Sequence, residues 1–420
     1  MATVLVYTSP GRGHLFPIMD TALALSKRGH DVRVRTLASE VGLVLGAGLA
    51  ARPMASAVEA RAIDDWQVRS PLESARRSVR TFVDRAATEV DDMQRAIADE
   101  RPQLLLVDTN AWGAQAVAEA SGLPWATWHP FPMPYPSRDA PPFGPGFAPA
   151  RGALGRLRDR LLRPLVQGPW ERFLPALNRV RVGAGARAFG RISEMYLAPP
   201  LLLHMTAEPF EYPRSDWPSN IKLVGPGLWS PPPTTTAPGW LSTAKPIVLV
   251  TCSTEFQDDG ALIDAAIGAF GDDASVQLVC TTAGVDPARV RAPAGVVVER
   301  FVSHAQVMPR ASAVVCHGGM GITQRALAAG VAPCVVPWGR DQLEVARRVV
   351  ECRAGAMLGR GRLSASRLRA AVEEARGCAG GAGRVRDAFA AAGGAQRAAG
   401  LLEALLAGGR IDDREALGRA

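Results

Sequence analysis

The chain alternates short apolar runs with amphipathic ones, and it does so twice. Thr3 to Thr8 is an apolar run, Pro17 to Arg28 has helical spacing, Gly29 stops that helix, and Asp31 to Leu37 is a second apolar run. Gln103 to Val107 ending in Asp108, a helix from Trp112 to Ser121, and Pro124 to Trp128 continue the pattern. It then restarts, with Pro246 to Thr251, Ser275 to Thr281, Val296 to Glu299, Ala313 to Cys316 and Ala332 to Val336 as strands and helices between them. Strands joined by helix-length crossovers pair in parallel, and such sheets are covered by helices on both faces. The expected class is therefore α/β, with two Rossmann-like, doubly wound parallel-sheet domains. A length of 420 residues agrees, since one core seldom grows so large.

The break between the two runs is rich in proline and glycine: Trp217-Pro218, Gly225-Pro226-Gly227 and Pro231-Pro232-Pro233. That composition predicts a linker without packed elements. It divides the chain into residues 1–213, a linker 214–245, a second domain 246–394 and a final segment 395–420. Pro130 to Pro149 is a long loop whose aromatic content argues against disorder and for a functional lid.

Composition excludes several classes. Hydrophobic residues make up 47% of the chain, but the longest apolar runs are strand-sized, so no membrane span is expected. The first strand begins at Thr3 with no basic segment before it, which predicts no signal peptide. Cys252, Cys280, Cys316, Cys334, Cys352 and Cys378 contain no CxxC pair, and four lie in or beside apolar strands. They read as reduced core thiols of a cytoplasmic protein, with no metal cluster. The net charge of +8 raises nucleic acid as a partner, but Arg76, Arg77, Arg80 and Arg85 and the arginines of 151–163 are interspersed with Asp84, Glu89 and Asp159. Solvated helix faces are the simpler reading, and no nucleic-acid partner is expected.

The chemistry concentrates between Arg300 and Gln342. A strand ending at Cys316 feeds His317-Gly318-Gly319-Met320-Gly321, which opens a helix. A small-residue turn at a helix N-terminus aims backbone N–H groups and the helix dipole at an anion such as phosphate. Asp341 and Gln342 follow the next strand and share that sheet edge, where they suit the hydroxyls of a neutral ligand. In the first half, the turn Pro10-Gly11-Arg12-Gly13-His14 is no dinucleotide fingerprint, because Phe16 stands where the third glycine would be and Arg33-Val34-Arg35-Thr36 offers no carboxylate. It presents His14 at the sheet edge instead. Asp108 ends its own strand on the same edge, so the two form a candidate base and orienting carboxylate. Singly, His14 reads equally as a structural turn residue and Asp108 as a helix cap.

These motifs together resemble the GT-B glycosyltransferases, in particular the inverting enzymes that decorate lipophilic natural products. The resemblance covers nearly the whole chain and implies two domains facing across a cleft, with the acceptor bound by the first, the nucleotide sugar by the second, and the last helix crossing back. It implies that Phe301 stacks on the base, that Val302 bonds the base through its backbone, and that His317, Gly319 and Gly321 hold the diphosphate. Thr254, His304 and Ile322 complete the donor set, with Asp341 and Gln342 on the sugar. Three positions depart from the family pattern: Phe301 for Trp, His304 for Gln and Ser253 for Gly. The His14 and Asp108 pair matches the family's catalytic pair. Trp66, Trp112, His129, Phe131, Met133 and Tyr135 are the candidates for the acceptor, with the loop serving the acceptor alone.

The implied reaction is sugar transfer with inversion to an acceptor hydroxyl. No Asp-x-Asp pair is present, so neither a metal nor any other cofactor is expected. Where UDP-using relatives carry a carboxylate for the ribose, the chain has Arg325, which only donates; this predicts dTDP-sugars over UDP-sugars. A sugar-nucleotide epimerase and a non-catalytic partner protein remain as alternatives. Acceptor, sugar, bond type and oligomeric state, monomer or homodimer, stay open.

Overall fold

Both runs of alternation fold as parallel sheets. The computed structural model describes residues 1–408 except 62, 69, 70, 233–237, 254–256, 258 and 285; Thr254 and the side chain of Trp66 lie outside the described residues. In the first half, β1 (Thr3–Tyr7), β2 (Asp31–Thr36), β3 (Ala50–Pro53), β4 (Leu104–Asp108), β5 (Trp125–His129), β6 (Leu201–His204) and β7 (Ile221–Leu223) form one sheet. Its order is β3-β2-β1-β4-β5-β6-β7, every pair parallel. In the second half, β8 (Ile247–Thr251), β9 (Gln277–Thr281), β10 (Val297–Glu299), β11 (Ala311–Cys316), β12 (Pro333–Val335) and β13 (Ala356–Met357) follow the order β10-β9-β8-β11-β12-β13, again parallel throughout.

Both faces of each sheet are dry. Along β1, Val4 and Val6 pack toward the helices Arg12–Lys27 and Gly394–Leu406, while Leu5 and Tyr7 pack toward Pro71–Glu100 and Trp112–Ala120. Two-sided burial is why these strands read as unbroken apolar runs. In the second sheet Leu249 joins one layer and Val248 and Val250 the other. The helix Gly394–Leu406 therefore completes the first core: Leu401 and Leu402 are at most 2% exposed there, worth about 2 kcal/mol each. Among the described residues no helix is long and apolar enough to cross a membrane.

Three expectations are corrected. The first helix begins at Arg12, not Pro17, because extended Gly11 opens it and accepts the N–H groups of His14 and Leu15. Pro17 sits inside the helix, and His14 lies in its first turn. The supposed linker carries β7, which pairs with β6 after a turn in which Ile221 N–H meets Pro218 C=O. Arg85 is not on a solvated face; it is buried, with Nε on Glu89 at 2.7 Å.

In each sheet the chain winds outward from its first strand and returns to that strand's other side. The carboxyl ends of β1 and β4, and of β8 and β11, are thus the points where crossovers leave in opposite directions, and a crevice opens at each. The two crevices face each other.

Candidate active site

The chain leaves β1 through Ser9 and enters the first helix with His14 in its opening turn; β4 ends at Asp108 beside it. His14 Nδ1 lies 2.9 Å from Asp108 Oδ2. The other carboxylate oxygen accepts Ser9 Oγ at 2.8 Å and the Asn110 N–H at 2.7 Å, so a fully buried aspartate is fixed from three directions. Its acceptor position selects the tautomer with the proton on Nδ1 and leaves Nε2 as the basic nitrogen. Trp128 Nε1 donates to the His14 carbonyl at 3.2 Å and holds the turn. The histidine ring lines a cleft of about 1760 Å³ between the two sheets.

Across the cleft, β11 ends in His317-Gly318-Gly319, and among the described residues no side chain caps the helix Met320–Ala328 that follows. Its first N–H groups therefore remain for a ligand. Gly318 has φ +92, and a Cβ on it would meet Val335 at 2.7 Å; a Cβ on Gly319 would stand 2.4 Å from His317 Nε2. The glycines are what let the turn pass this close. Burial pushes the His317 imidazole down to about 4, against a backbone hydrogen bond with Thr251, so it is neutral at neutral pH. Its buried Nδ1 has no partner among the described residues.

Asp341 also lines the cleft, at the start of the helix Gln342–Glu351. Burial raises its carboxyl above the usual range, opposed by its own backbone N–H, Arg340 and His14. His14 and Asp341 line one cleft. Phe301, Val302, His304 and Ile322 line the same cleft, and Phe301 is 55% exposed with the Arg12 guanidinium 6.0 Å from its ring. Burial pushes His304 down to about 4, helped by Arg325.

Two donor-side residues are bonded within the protein. The Gln342 amide is taken up within the protein: its oxygen accepts the N–H groups of Trp338 and Gly339 at 2.7 and 3.0 Å, and its nitrogen donates to Gln257 at 2.6 Å. It shapes the turn that carries Asp341 and leaves little for a sugar. Arg325 donates to the Leu228 and Trp229 carbonyls at 2.7 and 3.1 Å, so it holds the interdomain segment.

The acceptor set divides. Trp112 and Phe131 line the cleft; His129, Met133 and Tyr135 do not. His129 is fully buried, bonded to Thr109 Oγ1 at 3.2 Å, and pushed well below its usual pKa by burial and by His204. Residues before proline are extended, and in Met133-Pro134-Tyr135-Pro136 the prolines take the cleft side. Met133 and Tyr135 pack instead with Leu202, Ile221 and Trp217. The loop does not serve the acceptor alone either: Glu344, on the donor-side helix, accepts the N–H groups of Gly144 and Gly146.

The sequence profile of the erythromycin biosynthesis protein CIII-like C-terminal domain matches residues 265–405. Over 423 aligned residues the chain is 33% identical to the 4'-demethylrebeccamycin synthase of Lentzea aerocolonigenes, covering 96% of this chain and all of that protein. The chain belongs to the GT-B natural-product glycosyltransferases. The fold agrees: the glycotransferase of kitacinnamycin superposes with a TM-score of 0.74 at 23% identity, covering 96% of this transferase and 99% of the other chain. Glycosyltransferase VinC, solved in complex with DTDP, gives 0.70 at 19% identity, covering 97% and 100%. A PGL/p-HBAD biosynthesis rhamnosyltransferase of Mycobacterium bovis is 33% identical over 165 residues, 38% of this chain and 35% of that one.

The transferase's cleft also uses residues that sequence reasoning missed. Phe82 packs on Trp112 with ring centroids 5.5 Å apart, and Leu165, Val166 and Trp170 come from the helix Ala153–Glu171. The only signal for that helix was its apolar spacing, and Pro164 and Pro169 within it argued the other way.

Proposed function

We propose that this glycosyltransferase moves a sugar from a dTDP-sugar to a hydroxyl of an apolar natural-product aglycone, with inversion and without a metal. The observation that carries this reading is the 2.9 Å contact between His14 Nδ1 and Asp108 Oδ2 in the cleft that Asp341 also lines. His14 Nε2 takes the acceptor proton as the acceptor oxygen bonds to C1 of the sugar. The C1–O bond to the diphosphate breaks with its electrons going to the leaving group, and Asp108 stabilises the imidazolium that forms. The open N-terminus of the helix Met320–Ala328 and neutral His317, as a hydrogen-bond donor, meet the charge growing on the diphosphate. The Asp341 carboxylate accepts from sugar hydroxyls.

Phe82, Trp112, Phe131, Trp170 and Tyr196 on the acceptor wall favour a broad, largely apolar aglycone. The nucleotide preference follows from the missing ribose carboxylate: a lost charge-assisted hydrogen bond is worth about 1.5 kcal/mol or more, and deoxyribose has less to lose. That VinC and other relatives of this fold were solved with DTDP or thymidine diphosphate is in keeping with it.

Incubating the protein with dTDP- and UDP-sugars and a set of aglycones, with mass spectrometry and NMR of the products, tests the reading. Expected is a glycoside whose anomeric configuration is opposite to the donor's, made equally well in chelator. Retention, or activity lost in chelator and restored by magnesium, would overturn the mechanism. UDP binding as tightly as dTDP would overturn the nucleotide preference.

A further inference from the structure

Arg340 stands immediately before Asp341, and its guanidinium reaches across to the acceptor side. Nε and Nη2 each lie 2.9 Å from one oxygen of Asp65, a two-pronged ion pair across the cleft. Asp65 is 2% exposed and sits in the turn Asp65–Gln67, which leads into the helix Pro71–Glu100; Ser78 Oγ of that helix donates to it at 3.3 Å. Ile63, Asp65, Val68, Ser74 and Ser78 all line the acceptor side, so an aglycone in the cleft rests on the segment that holds Arg340.

The backbone adds a second observation. Arg340 has φ +53, a left-handed conformation that side chains other than glycine seldom adopt, and the chain has a glycine next door at 339. A local preference would place glycine at 340. Keeping arginine there is explained by what its side chain reaches, since strain of this kind persists where the surroundings over-determine it. Only arginine offers a planar fork that matches a carboxylate at two points.

We propose that the Asp65–Arg340 pair is a positioning contact through which the acceptor side of the cleft sets the sugar-binding carboxylate of Asp341, so that the sugar is aligned for the acceptor rather than for water. The proposal rests on the sugar-transfer reading above. Both residues act through Asp341 and touch neither reacting atom. When the pair is broken, Asp341 wanders, and water competes for C1, giving free sugar and nucleoside diphosphate in place of glycoside.

The test uses the full chain with Asp65→Asn, Arg340→Lys and the double variant, following glycoside and free sugar from one donor. Each single variant should slow transfer roughly tenfold to a hundredfold, the cost of slight misplacement at a reacting centre, and raise the share of donor lost to water. Affinity for dTDP alone should stay within about threefold, because the anion site is elsewhere. The double variant should lose no more than either single one, as coupled residues do. Additive losses, or an unchanged ratio of free sugar to glycoside in an active enzyme, would overturn the proposal and leave the transfer reading intact. A wild-type protein that transfers no sugar from any nucleotide sugar would overturn both. Hydrogen exchange gives a reading free of turnover: a non-transferable dTDP-sugar analogue should slow exchange in residues 63–68 of the wild type but not of Arg340→Lys, and equal behaviour of the two would also sink the proposal.

Discussion

Glu344, in the first turn of the donor-side helix, accepts the backbone N–H of Gly146, in the acceptor-side loop, at 2.9 Å. The same oxygen takes the Gly144 N–H at 2.7 Å, and Arg347 Nε returns a bond to the Gly146 carbonyl at 2.9 Å. The other Glu344 oxygen lies 2.9 Å from Arg348, which reaches on to Glu211 at 2.8 Å. Burial alone would push the Glu211 carboxyl up, but Arg348, His204 and Arg214 hold it well below the usual range. Donor helix and acceptor loop are thus fastened by one buried, charged cluster.

Glu344→Ala should therefore act on both substrates. It leaves two loop N–H groups and Arg348 short of a partner and should lower stability by about 3 to 5 kcal/mol in urea unfolding. Calorimetry should show weaker binding of a non-transferable dTDP-sugar analogue, because the sugar-binding Asp341 opens the same helix, together with a higher acceptor KM. Donor affinity untouched beside a raised acceptor KM would mean the loop and the helix work separately.

His14→Ala should reduce turnover by roughly two to four powers of ten, the usual worth of a general base, while dTDP affinity holds. Asp108→Asn should cost less turnover, since the base remains, but more stability, because the amide nitrogen it introduces would face either Ser9 Oγ and the Asn110 N–H or the His14 ring. Turnover within threefold of wild type in His14→Ala would remove that residue from the mechanism.

Within the acceptor loop, exposure to the cleft should separate two kinds of change. Phe131→Ala should raise the acceptor KM with the unfolding midpoint little altered. His129→Ala should do the reverse, since its ring is buried 4.0 Å from that of Phe131 and bonded to Thr109. A selective KM effect in His129→Ala would return it to the binding surface.

Acid should loosen the fold before it protonates the site. His304 and His317 are held down to about 4, whereas unfolded imidazoles titrate near 6.5. Between those values the unfolded chain binds more protons, so stability falls as pH drops from about 6.5 to 4, by about 1.4 kcal/mol per pH unit for each such histidine. Urea midpoints across that range should fall less steeply in His317→Asn than in wild type; parallel slopes would show that His317 is not the group responsible.

What was legible in the sequence followed periodicity and strand ends. Both sheets declared themselves through apolar runs, and His14, Asp108, His317 and Asp341 could be named because each closes a strand or the turn after it. The strands β6 and β7 were too short to carry a pattern, and the prolines of Ala153–Glu171 disguised a helix. Inside the loop, composition could not tell Phe131 from Met133, because which side chain meets the cleft is settled by Glu211 and Arg214, which hold the Met133 backbone from a distant part of the chain. Asp65 and Arg340, 275 positions apart, share no local signature at all.

The docking of Gly394–Leu406 into the first core sets an order of events on the ribosome. Strands β1 to β7 emerge long before Leu401 and Leu402, so the amino-terminal sheet waits with one flank of apolar side chains uncovered while the entire second sheet is being made. The helix that seals it is also tied to Arg28, whose Nη1 lies 2.7 Å from Glu403. The two sheets mature together: the first cannot finish folding alone, and a chain cut short before residue 394 exposes a sticky surface rather than a smaller working domain.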